Sequence, residues 1–252
     1  MSAAACLLVG GISSTTLDFL YSQAYDVWEL LLAASQQVAL TLRLHNVALY
    51  LPSRPSATLE SSTVSRIGDD YLLPVPAGGV REYSTSLARQ QRRVIQSDLR
   101  RLSACGLRYG PLSFEDLLGE RSIRLISAVK AGRGAPEDPR LLRMRLRHLV
   151  TNIEEPAAFG IWDSADCLNG VVLMGSGNGR LEPLEFGVPD DADHRRLLYA
   201  IALVYAPMQV AAERGIGMLR LGPTSPTPKL LRGAQPIAQW AAVSLIRESE
   251  VA

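Results

Sequence analysis

The residue types that build metal sites and disulfide frameworks are scarce in this chain of 252 residues. It has three cysteines, Cys6, Cys105 and Cys167, and three histidines, and neither type occurs in a CxxC, HxH or HxxxH spacing. Zinc sites and disulfide scaffolds use such residues at short, regular intervals. We therefore expect neither a bound metal nor a fold held together by disulfides.

Long apolar runs are also absent. Residues 1–11 contain a short apolar segment with no basic region before it, and no stretch reaches the roughly 18 apolar residues that a membrane span requires. We therefore expect a cytoplasmic protein. A hydrophobic fraction of 47% and a charged fraction of 20% are typical of a globular chain that can bury a substantial core.

Lysine is nearly missing, with 2 residues against 24 arginines, and the positive charge is unevenly distributed. Arg81–Arg147 contains 15 basic and 7 acidic residues, a local net charge of +8, whereas the rest of the chain carries −7. A basic segment of this kind predicts a polyanionic partner at one face. Solvated helix faces built from arginine would give the same composition.

The first 80 residues are predicted to form a small N-terminal lobe, followed by a main domain over residues 81–252. Apolar residues at helical spacing predict a helix over 16–37, and alternation predicts a strand over 38–51. The serine- and proline-rich stretch 52–70 is typical of a linker, a subdomain boundary or a mobile flap.

The basic segment is predicted to be helical. Ser86–Ala104 has a helical period, with Ser86 as a possible cap, and its positions 89, 93, 96 and 100 form one polar stripe. Such a stripe could contact successive phosphates or simply face solvent. Short helices follow over 113–118 and 121–130, and a basic amphipathic helix over 138–152 should turn its leucines inward and its arginines outward.

The remaining residues change to a strand pattern. A hairpin is predicted from Ala157–Asp163 and Leu168–Gly175, and a third strand over Leu181–Val188. A helix over 194–214, a strand over 217–222, a helix near 227–233 and a closing strand over 237–246 complete the order. This order predicts an α+β fold, a mixed and mainly antiparallel sheet with helices on both faces.

Three segments carry a resemblance to a known family. They are the basic helix ending in Cys105-Gly106-Leu107, the hairpin from Phe159-Gly160-Ile161-Trp162 to Val171-Val172-Leu173-Met174, and Ala212-Glu213-Arg214-Gly215 through Leu221-Gly222 to Lys229-Leu230-Leu231-Arg232-Gly233. Over about residues 81 to 246, the chain resembles the GNAT acyltransferase superfamily. It is most similar to the Fem-type branch and to GNAT-like proteins of actinobacterial gene clusters. The resemblance implies a GNAT-like fold whose N-terminal lobe is a truncated first half.

The donor that this resemblance implies is an aminoacyl-tRNA. Fem-type transferases move an amino acid from aminoacyl-tRNA to an amine, here a small-molecule amine of natural-product biosynthesis, without a resident cofactor. Acetyl-CoA-dependent relatives hold pyrophosphate on a glycine-rich loop that enters a helix. The equivalent stretch here, Gly187–Arg196, has one glycine, a proline and three aspartates. Acetyl-CoA is therefore disfavoured, although Arg195 and Arg196 keep it open, and the aspartates could instead cap the next helix.

The resemblance also implies the site residues. Lys229 should lie near the reacting ester and stabilise an oxyanion or a phosphate, although a surface lysine would look the same. Glu185 could accept a proton or bind the acceptor ammonium, or serve as a salt-bridged structural group, and Tyr205 is as typical of a core as of catalysis. The predicted substrate-binding residues are Arg220, Thr224, Ser225, Thr227 and Trp162. The predicted tRNA-binding residues are Arg89, Arg92, Arg93, Arg100, Arg101, Arg143, Arg147 and Arg232.

Three functions remain open at this point. The first is an aminoacyl-tRNA-dependent N-acyltransferase. The second is an acyl-CoA-dependent GNAT N-acetyltransferase with a divergent loop. The third is a non-catalytic GNAT-like module that binds RNA or a protein.

Overall fold

The computed structural model describes residues 6–9, 34–39, 41, 46–51, 62–177, 179–190 and 194–245. The described residues fall into two compact units. The smaller unit draws on Met1–Asp70, Gly222–Thr224 and Pro236–Ala252, and the larger on Tyr71–Leu221 and Ser225–Gln235. The predicted division of the chain at residue 80 stays a prediction, and most of the helix predicted over 16–37 lies outside the described residues.

The smaller unit is built on strands. Its elements are β1 (Cys6–Val9), helix α1 (34–39), β2 (Asn46–Leu51), the first part of β3 (Ser62–Pro74) and most of β9 (Gln235–Leu245). β1 runs parallel to β2, and β2 runs antiparallel to β9. The Gln36 side-chain amide donates a hydrogen bond to Ser244 Oγ at 2.8 Å and ties α1 to β9.

Two boundaries in this unit differ from the prediction. The strand predicted over 38–51 begins only at Asn46, because α1 extends to residue 39. The stretch predicted as a linker through Asp70 is already a strand from Ser62 onward. Serine and aspartate disfavour strands locally, but backbone pairing with a neighbouring strand overrides that weak preference.

The larger unit contains a mixed sheet. Its strand order is the end of β3, then β8 (Met218–Arg220), β7 (Arg180–Gly187), β6 (Leu168–Gly177), β5 (Ala157–Trp162) and β4 (Arg108–Pro111). Only the β7–β8 pair is parallel among these strands. The predicted hairpin, third strand and α+β class are confirmed.

Helices cover both faces of this sheet. They are α2 (Gly79–Ser86), α3 (Arg89–Ala104), α4 (Phe114–Leu117), α5 (Glu120–Gly132), α6 (Pro139–Asn152), α7 (Arg195–Ala200), α8 (Ala206–Glu213) and α9 (Pro226–Leu230). Ser86 ends α2 instead of capping α3, because Leu87 and Ala88 are extended. Asp138 caps α6 by accepting from the Arg140 and Leu141 amides.

β6 shows how the two layers of core are made. Val172 and Met174 face a cluster that includes α3, α7 and α8, whereas Val171 and Leu173 face a cluster that includes α4, α5 and α6. All four side chains are fully buried. Successive side chains of a strand point to opposite faces, so one apolar run is buried on both sides.

The orientation of α6 corrects the prediction that all its leucines turn inward. Leu142 and Leu146 are buried, but Leu141 and Met144 are 59% and 65% exposed. Arg143 is half-buried and donates to the Leu118 carbonyl. A helical period of 3.6 residues brings positions four apart onto one face, so adjacent leucines cannot share it.

The helix predicted over 194–214 is interrupted by a π-helical turn, Ile201–Tyr205, between α7 and α8. The Ala206 amide donates to the Ile201 carbonyl, five residues back. Pro207 follows directly, and a proline ring has no N–H and displaces the carbonyl four residues earlier. The wider turn accommodates this proline, and it places the Tyr205 side chain in the core.

Candidate functional site

Two adjacent strands of the larger unit separate to form a fork. β7 and β8 pair only at Arg180–Met218 and Leu181–Leu219, whereas β7 continues to Gly187. A register shift between β6 and β7 occurs beside Pro183, which has no N–H to contribute to a ladder. The residues of β7 beyond Leu181 therefore leave β8.

A buried ion pair lies where the strands separate. Arg220 Nη1 is 3.5 Å from Glu182 Oε2, and their side chains are 12% and 4% exposed. Arg220 was predicted to bind substrate, and Glu182 was not predicted at all. An acid between Leu181 and Pro183 in an apolar strand was the available signal, because buried carboxylates require a charged or polar partner.

The segments that follow the two strands line one cleft of about 600 Å³. α7 comes after β7, and α9 comes after β8. The residues that line the cleft come from α3, α7 and the α9 region, and they are Val94, Arg195, Arg196, Tyr199, Ser225, Thr227, Pro228, Leu231 and Arg232. We refer to this as the α7–α9 cleft. It brings together three of the predicted site residues, Ser225, Thr227 and Arg232.

The α7–α9 cleft is rich in arginine. Among the described residues that line it, three are arginines and none is acidic, and one of the three, Arg232, is paired with the buried Asp98. Arg195 is half-exposed and pairs with Asp190 at 2.8 Å, so one aspartate of the acidic turn is neutralised. Guanidinium groups in this arrangement suit phosphate or another anion, because their planar forks donate two parallel hydrogen bonds to it.

An aromatic side chain in the cleft is held rigidly. The Tyr199 ring meets the Phe186 ring edge to face, with centroids 5.1 Å apart. Arg133 lies over the Phe186 ring at 4.9 Å and donates to the Tyr199 hydroxyl at 3.3 Å. Such packing fixes the rotamer of Tyr199, so the wall that it forms is preorganised.

Arg232 is fixed by a buried network on its other side. Its Nη2 and Nε donate to Asp98 Oδ2 at 2.6 and 3.1 Å, and Nη1 donates to the Pro228 carbonyl at 2.8 Å. Tyr205 Oη donates to the same Asp98 oxygen at 2.6 Å. Burial raises the pKa of Tyr205 far above its usual value, and the bond to Asp98 raises it further, so the phenol is fully protonated. As a proton donor to substrate, Tyr205 would have to break this bond.

The backbone of α9 is positioned by two unusual residues. Ser225 has a φ of 57°, a left-handed conformation that costs a non-glycine residue about 1 kcal/mol. Gly233 has a φ of 88°, and a β-carbon there would lie 2.5 Å from Tyr83 Oη. That hydroxyl donates to the Arg232 carbonyl at 2.9 Å. α9 is therefore held at both ends.

Lys229 is buried in α9, with 2% of its surface exposed. Its Nζ lies 5.2 Å from the centroid of the Tyr71 ring, and it is not among the residues that line the α7–α9 cleft. Tyr71 accepts a backbone hydrogen bond from Leu221, directly after β8. The ammonium thus lies over the ring of a β3 residue that is hydrogen-bonded to the residue after β8.

Glu185 belongs to a cluster of four charges on the opposite face of β7. Arg145 Nη1 donates to Glu185 Oε1 at 2.5 Å, and Lys130 Nζ is 3.8 Å from the same oxygen. Both cations also contact Glu137, at 2.8 and 3.1 Å. Hydrogen bonds from Arg145 lower the pKa of Glu137 to about 2, with Lys130 adding to the effect. The cluster joins β7 to α5 and α6.

Comparison with known proteins gives structural matches only. No family model and no curated protein matches the sequence. L-PGS from Bacillus licheniformis is 13% identical with a TM-score of 0.59, covering 90% of this chain and 76% of that one. FemX is 10% identical with a TM-score of 0.56, covering 86% and 76%. A GCN5-related N-acetyltransferase from Kribbella flavida is 12% identical with a TM-score of 0.50, covering 90% and 78%.

The chain has the GNAT fold. The fork between β7 and β8 and the helix that follows β7 belong to the part of this fold that the sequence resemblance covered. The Fem-type specificity that the sequence predicted is a finer statement than the fold, and it stays a prediction.

The other predicted site residues lie apart from the α7–α9 cleft. Trp162 is the last residue of β5, and the Arg108 guanidinium carbon lies 4.8 Å from the centroid of its indole ring. Thr224 is exposed in the smaller unit. Arg147 on α6 is exposed. The predicted tRNA-binding arginines of α3 are exposed as well, and they are Arg89, Arg92, Arg93, Arg100 and Arg101.

Sequence reasoning missed Asp98 as a partner of Arg232. Asp98 lies three residues after Ile95 on the buried face of α3, and only these two residues of the helix are fully buried. An acid on an apolar stripe signals a buried cation elsewhere in the chain. Which cation it meets depends on a contact between residues 134 positions apart.

Two negative findings concern the described part of the chain. No three His, Cys, Asp or Glu side chains within the described ranges come together as a metal site would require. None of the helices described there combines the length and the apolar content of a membrane-crossing segment.

Proposed function

We propose that this GNAT-fold protein is an acyltransferase that forms an amide by moving an aminoacyl group from aminoacyl-tRNA to a small-molecule amine. The observation that carries the proposal is the α7–α9 cleft, where Arg195, Arg196 and Arg232 converge and no described lining residue is acidic. The end of a tRNA brings phosphates and an ester together. A cleft lined by arginines suits both.

The exposed arginines of α3 support an RNA donor over a small one. Arg93 and Arg100 lie seven residues apart on one face, and both are exposed. Neither forms an ion pair within the described residues, so each can meet a phosphate. Backbone phosphates supply most of the affinity for RNA, and several separated guanidinium groups are what an extended polyanion requires.

The proposed reaction asks little covalent chemistry of the protein. The amine nitrogen attacks the ester carbonyl, and the tetrahedral intermediate collapses by breaking the bond between the acyl carbon and the ribose oxygen. The amide forms, and the ribose oxygen leaves as a hydroxyl after receiving the proton that the amine lost. The protein positions the ester, accepts a proton from the amine and stabilises the oxyanion. We assign the oxyanion role to Lys229, which follows the cleft residue Pro228 on α9, and the proton-accepting role to a carboxylate at β7.

Two carboxylates on β7 are candidates for that proton acceptor. Glu185 was predicted from sequence, but it is bound by Arg145 and Lys130. Glu182 lies at the fork and pairs with Arg220. Glu182 directly follows Leu181, the last β7 residue paired with β8, so we take Glu182 as the first candidate and Glu185 as the alternative. Each role is tested by the matching Glu-to-Gln variant.

Acyl-CoA is a second candidate donor, and one contact favours it. The Asp190–Arg195 ion pair neutralises one of the three aspartates that were expected to repel the pyrophosphate of CoA. Pro189 still removes one amide donor from the turn before α7. Calorimetry with acetyl-CoA decides this alternative, and an absence of heat at about 1 mM ligand, a concentration that reveals a weak Kd, would remove it.

The deciding experiment supplies purified protein with tRNA charged with labelled amino acids and a panel of amines. We expect an amide product whose formation stops when the charged tRNA is digested with RNase beforehand. Product that survives this digestion but requires acyl-CoA would establish the second candidate. Tight tRNA binding with no product from any amine would point instead to a non-catalytic RNA-binding module.

Variants make the assignment specific to the cleft. Arg195→Gln combined with Arg196→Gln should lower kcat/KM for charged tRNA by about a hundredfold, since each lost charge-assisted contact costs roughly 1.5 kcal/mol. Arg124→Gln is the matched control, because Arg124 is exposed on α5 and, within the described ranges, pairs only with Glu120. Equal activity in the two proteins would remove the cleft from the mechanism.

A further inference from the structure

The larger unit has a second cleft that shares no residue with the α7–α9 cleft. It encloses about 560 Å³ between the start of α2, the second half of α3, the end of α8 and β4. Its lining residues are Ala77, Gly78, Gly79, Val80, Arg81, Leu99, Leu102, Ser103, Tyr109, Gln209, Ala212 and Glu213. We refer to it as the α2–α8 cleft. Its volume is within the range of small-molecule sites.

Two opposite charges line this cleft without neutralising each other. Arg81 and Glu213 are both exposed, and neither takes part in an ion pair anywhere in the described ranges. Among the residues that the structure describes, the Glu213 carboxylate accepts a hydrogen bond only from the neutral Gln209 amide, at 2.9 Å. A gap therefore separates a cation from an anion along one concave surface.

The space beside these charges is partly apolar. Val80, Leu99, Leu102 and Ala212 are half-buried and pack against the main core. Tyr109 is half-buried as well, and burial together with the charge of Glu213 raises the pKa of its hydroxyl above the usual value. The phenol therefore stays protonated and lies within the electrostatic reach of Glu213. It supplies a neutral hydroxyl at the anionic end of the cleft.

We propose that the α2–α8 cleft binds a free α-amino acid with an apolar side chain. Arg81 receives the carboxylate, Glu213 and Gln209 receive the ammonium, and the side chain packs on Leu99 and Leu102. A zwitterion pairs with both charges at once, whereas a ligand of one sign leaves the opposite charge unmatched. The inference does not rest on the proposed transfer reaction, because it uses none of the residues assigned to that reaction.

Calorimetry with L-leucine and two neutralised analogues tests the proposal. Leucinamide lacks the carboxylate, and N-acetyl-leucine lacks the ammonium. We expect L-leucine to bind, and each analogue to bind about tenfold more weakly or worse, because a charge-assisted hydrogen bond is lost. No heat from L-leucine at about 10 mM, a concentration that reveals even a Kd near 1 mM, would overturn the proposal.

Crossed variants show whether the two charges act as assigned. Arg81→Gln should weaken L-leucine about tenfold and leave leucinamide unchanged, since leucinamide has no carboxylate to lose. Glu213→Gln should weaken L-leucine equally and leave N-acetyl-leucine unchanged. Both residues are exposed, so we expect the melting temperature of each variant to stay at that of the unchanged protein.

The control variant is Arg124→Gln, which removes an exposed arginine outside the α2–α8 cleft. It should bind L-leucine like the unchanged protein. L-leucine affinity that is the same in Arg81→Gln, Glu213→Gln and Arg124→Gln would place the amino acid elsewhere and overturn the assignment. Loss of acyl transfer with retained L-leucine binding would separate a failure of the proposed function from a failure of this inference.

Discussion

Arg232 and Asp98 form a buried ion pair, with Arg232 Nη2 2.6 Å from Asp98 Oδ2 and side chains that are 9% and 11% exposed. The pair joins α9 to α3, and the Tyr205 hydroxyl shares the same carboxylate oxygen. Burial alone would lower the pKa of Arg232, but Tyr205 and Asp98 together raise it. The guanidinium therefore remains charged at one wall of the α7–α9 cleft.

Asp98→Ala should destabilise the protein strongly. It leaves the Arg232 guanidinium buried without its carboxylate, and removal of one partner of a buried pair costs about 3 kcal/mol or more. Urea denaturation followed by circular dichroism measures the change. Tyr205→Phe removes the hydrogen bond that the phenol donates to Asp98 and the longer one, 3.4 Å, that it accepts from Arg232 Nε, so it should cost about 1 to 2 kcal/mol. A loss below about 0.5 kcal/mol for Asp98→Ala, the size of an ordinary surface substitution, would contradict the buried pair.

The double variant Asp98→Leu with Arg232→Met provides the control for this prediction. It removes both charges together, so no unpaired ion remains, and the loss should be smaller than the sum of the two single losses. Additive losses would mean that the two side chains do not interact in solution.

Gly187→Ala should disrupt the contact between the end of β7 and α5. A β-carbon at Gly187 would lie 2.4 Å from the Ile126 amide nitrogen and 2.5 Å from the Leu125 carbonyl carbon. Backbone atoms cannot move aside like a flexible side chain, so we expect a loss of about 2 kcal/mol from overpacking. Thermal unfolding should show a melting temperature several degrees lower.

Gly177→Ala is the matched substitution in β6. A β-carbon there meets no atom within 4 Å, so the free energy of unfolding of the variant should lie within about 0.5 kcal/mol of that of the unchanged protein. If both alanine variants unfold alike, the close approach of β7 to α5 is absent in solution.

Glu137 should make the protein sensitive to acid. Its pKa is lowered from 4.5 to about 2, first by hydrogen bonds from Arg145 and then by Lys130. A carboxyl whose pKa is lowered by folding stabilises the native state at every pH above the pKa that the group has in the unfolded chain. That contribution is lost as the pH falls from about 4.5 toward 2. Glu137→Gln should flatten the fall in unfolding free energy across this window.

The matched control for the acid effect is Glu115→Gln. Glu115 is exposed on α4 and forms no ion pair within the described part of the chain. Its variant should keep the pH dependence of the unchanged protein between 4.5 and 2. Identical profiles for Glu137→Gln and the unchanged protein would argue against the Glu137–Arg145 pair.

The exposed α3 arginines should determine the salt dependence of tRNA binding. Replacing Arg93 and Arg100 by glutamine should weaken binding and lower the slope of log K against log salt by about 1 for each lost phosphate contact. Filter binding over a series of salt concentrations measures the slope. The Arg124→Gln control should preserve it, and an unchanged slope in the double variant would mean that α3 does not meet phosphates.

Local signals explain why most elements of the larger unit could be predicted. The helix α6, the β5–β6 hairpin and the strand β7 follow from patterns within about a dozen residues. Errors arose where pairing partners are distant in sequence. The first part of β3 was predicted to be a serine-rich linker. A separate error concerned α6, where all the apolar residues were assigned to the buried face although the helical period leaves Leu141 and Met144 exposed.

By itself, the sequence determined the order of helices and strands, the concentration of arginine in one segment, and the position of a lysine after a buried strand. These depend on local propensity and charge, which a chain carries before it folds. Only the tertiary structure decided that Asp98 meets Arg232, that Glu182 meets Arg220, and that Arg195 and Arg196 share a cleft with α9. Such contacts join segments far apart in the chain, and packing of the whole core selects them.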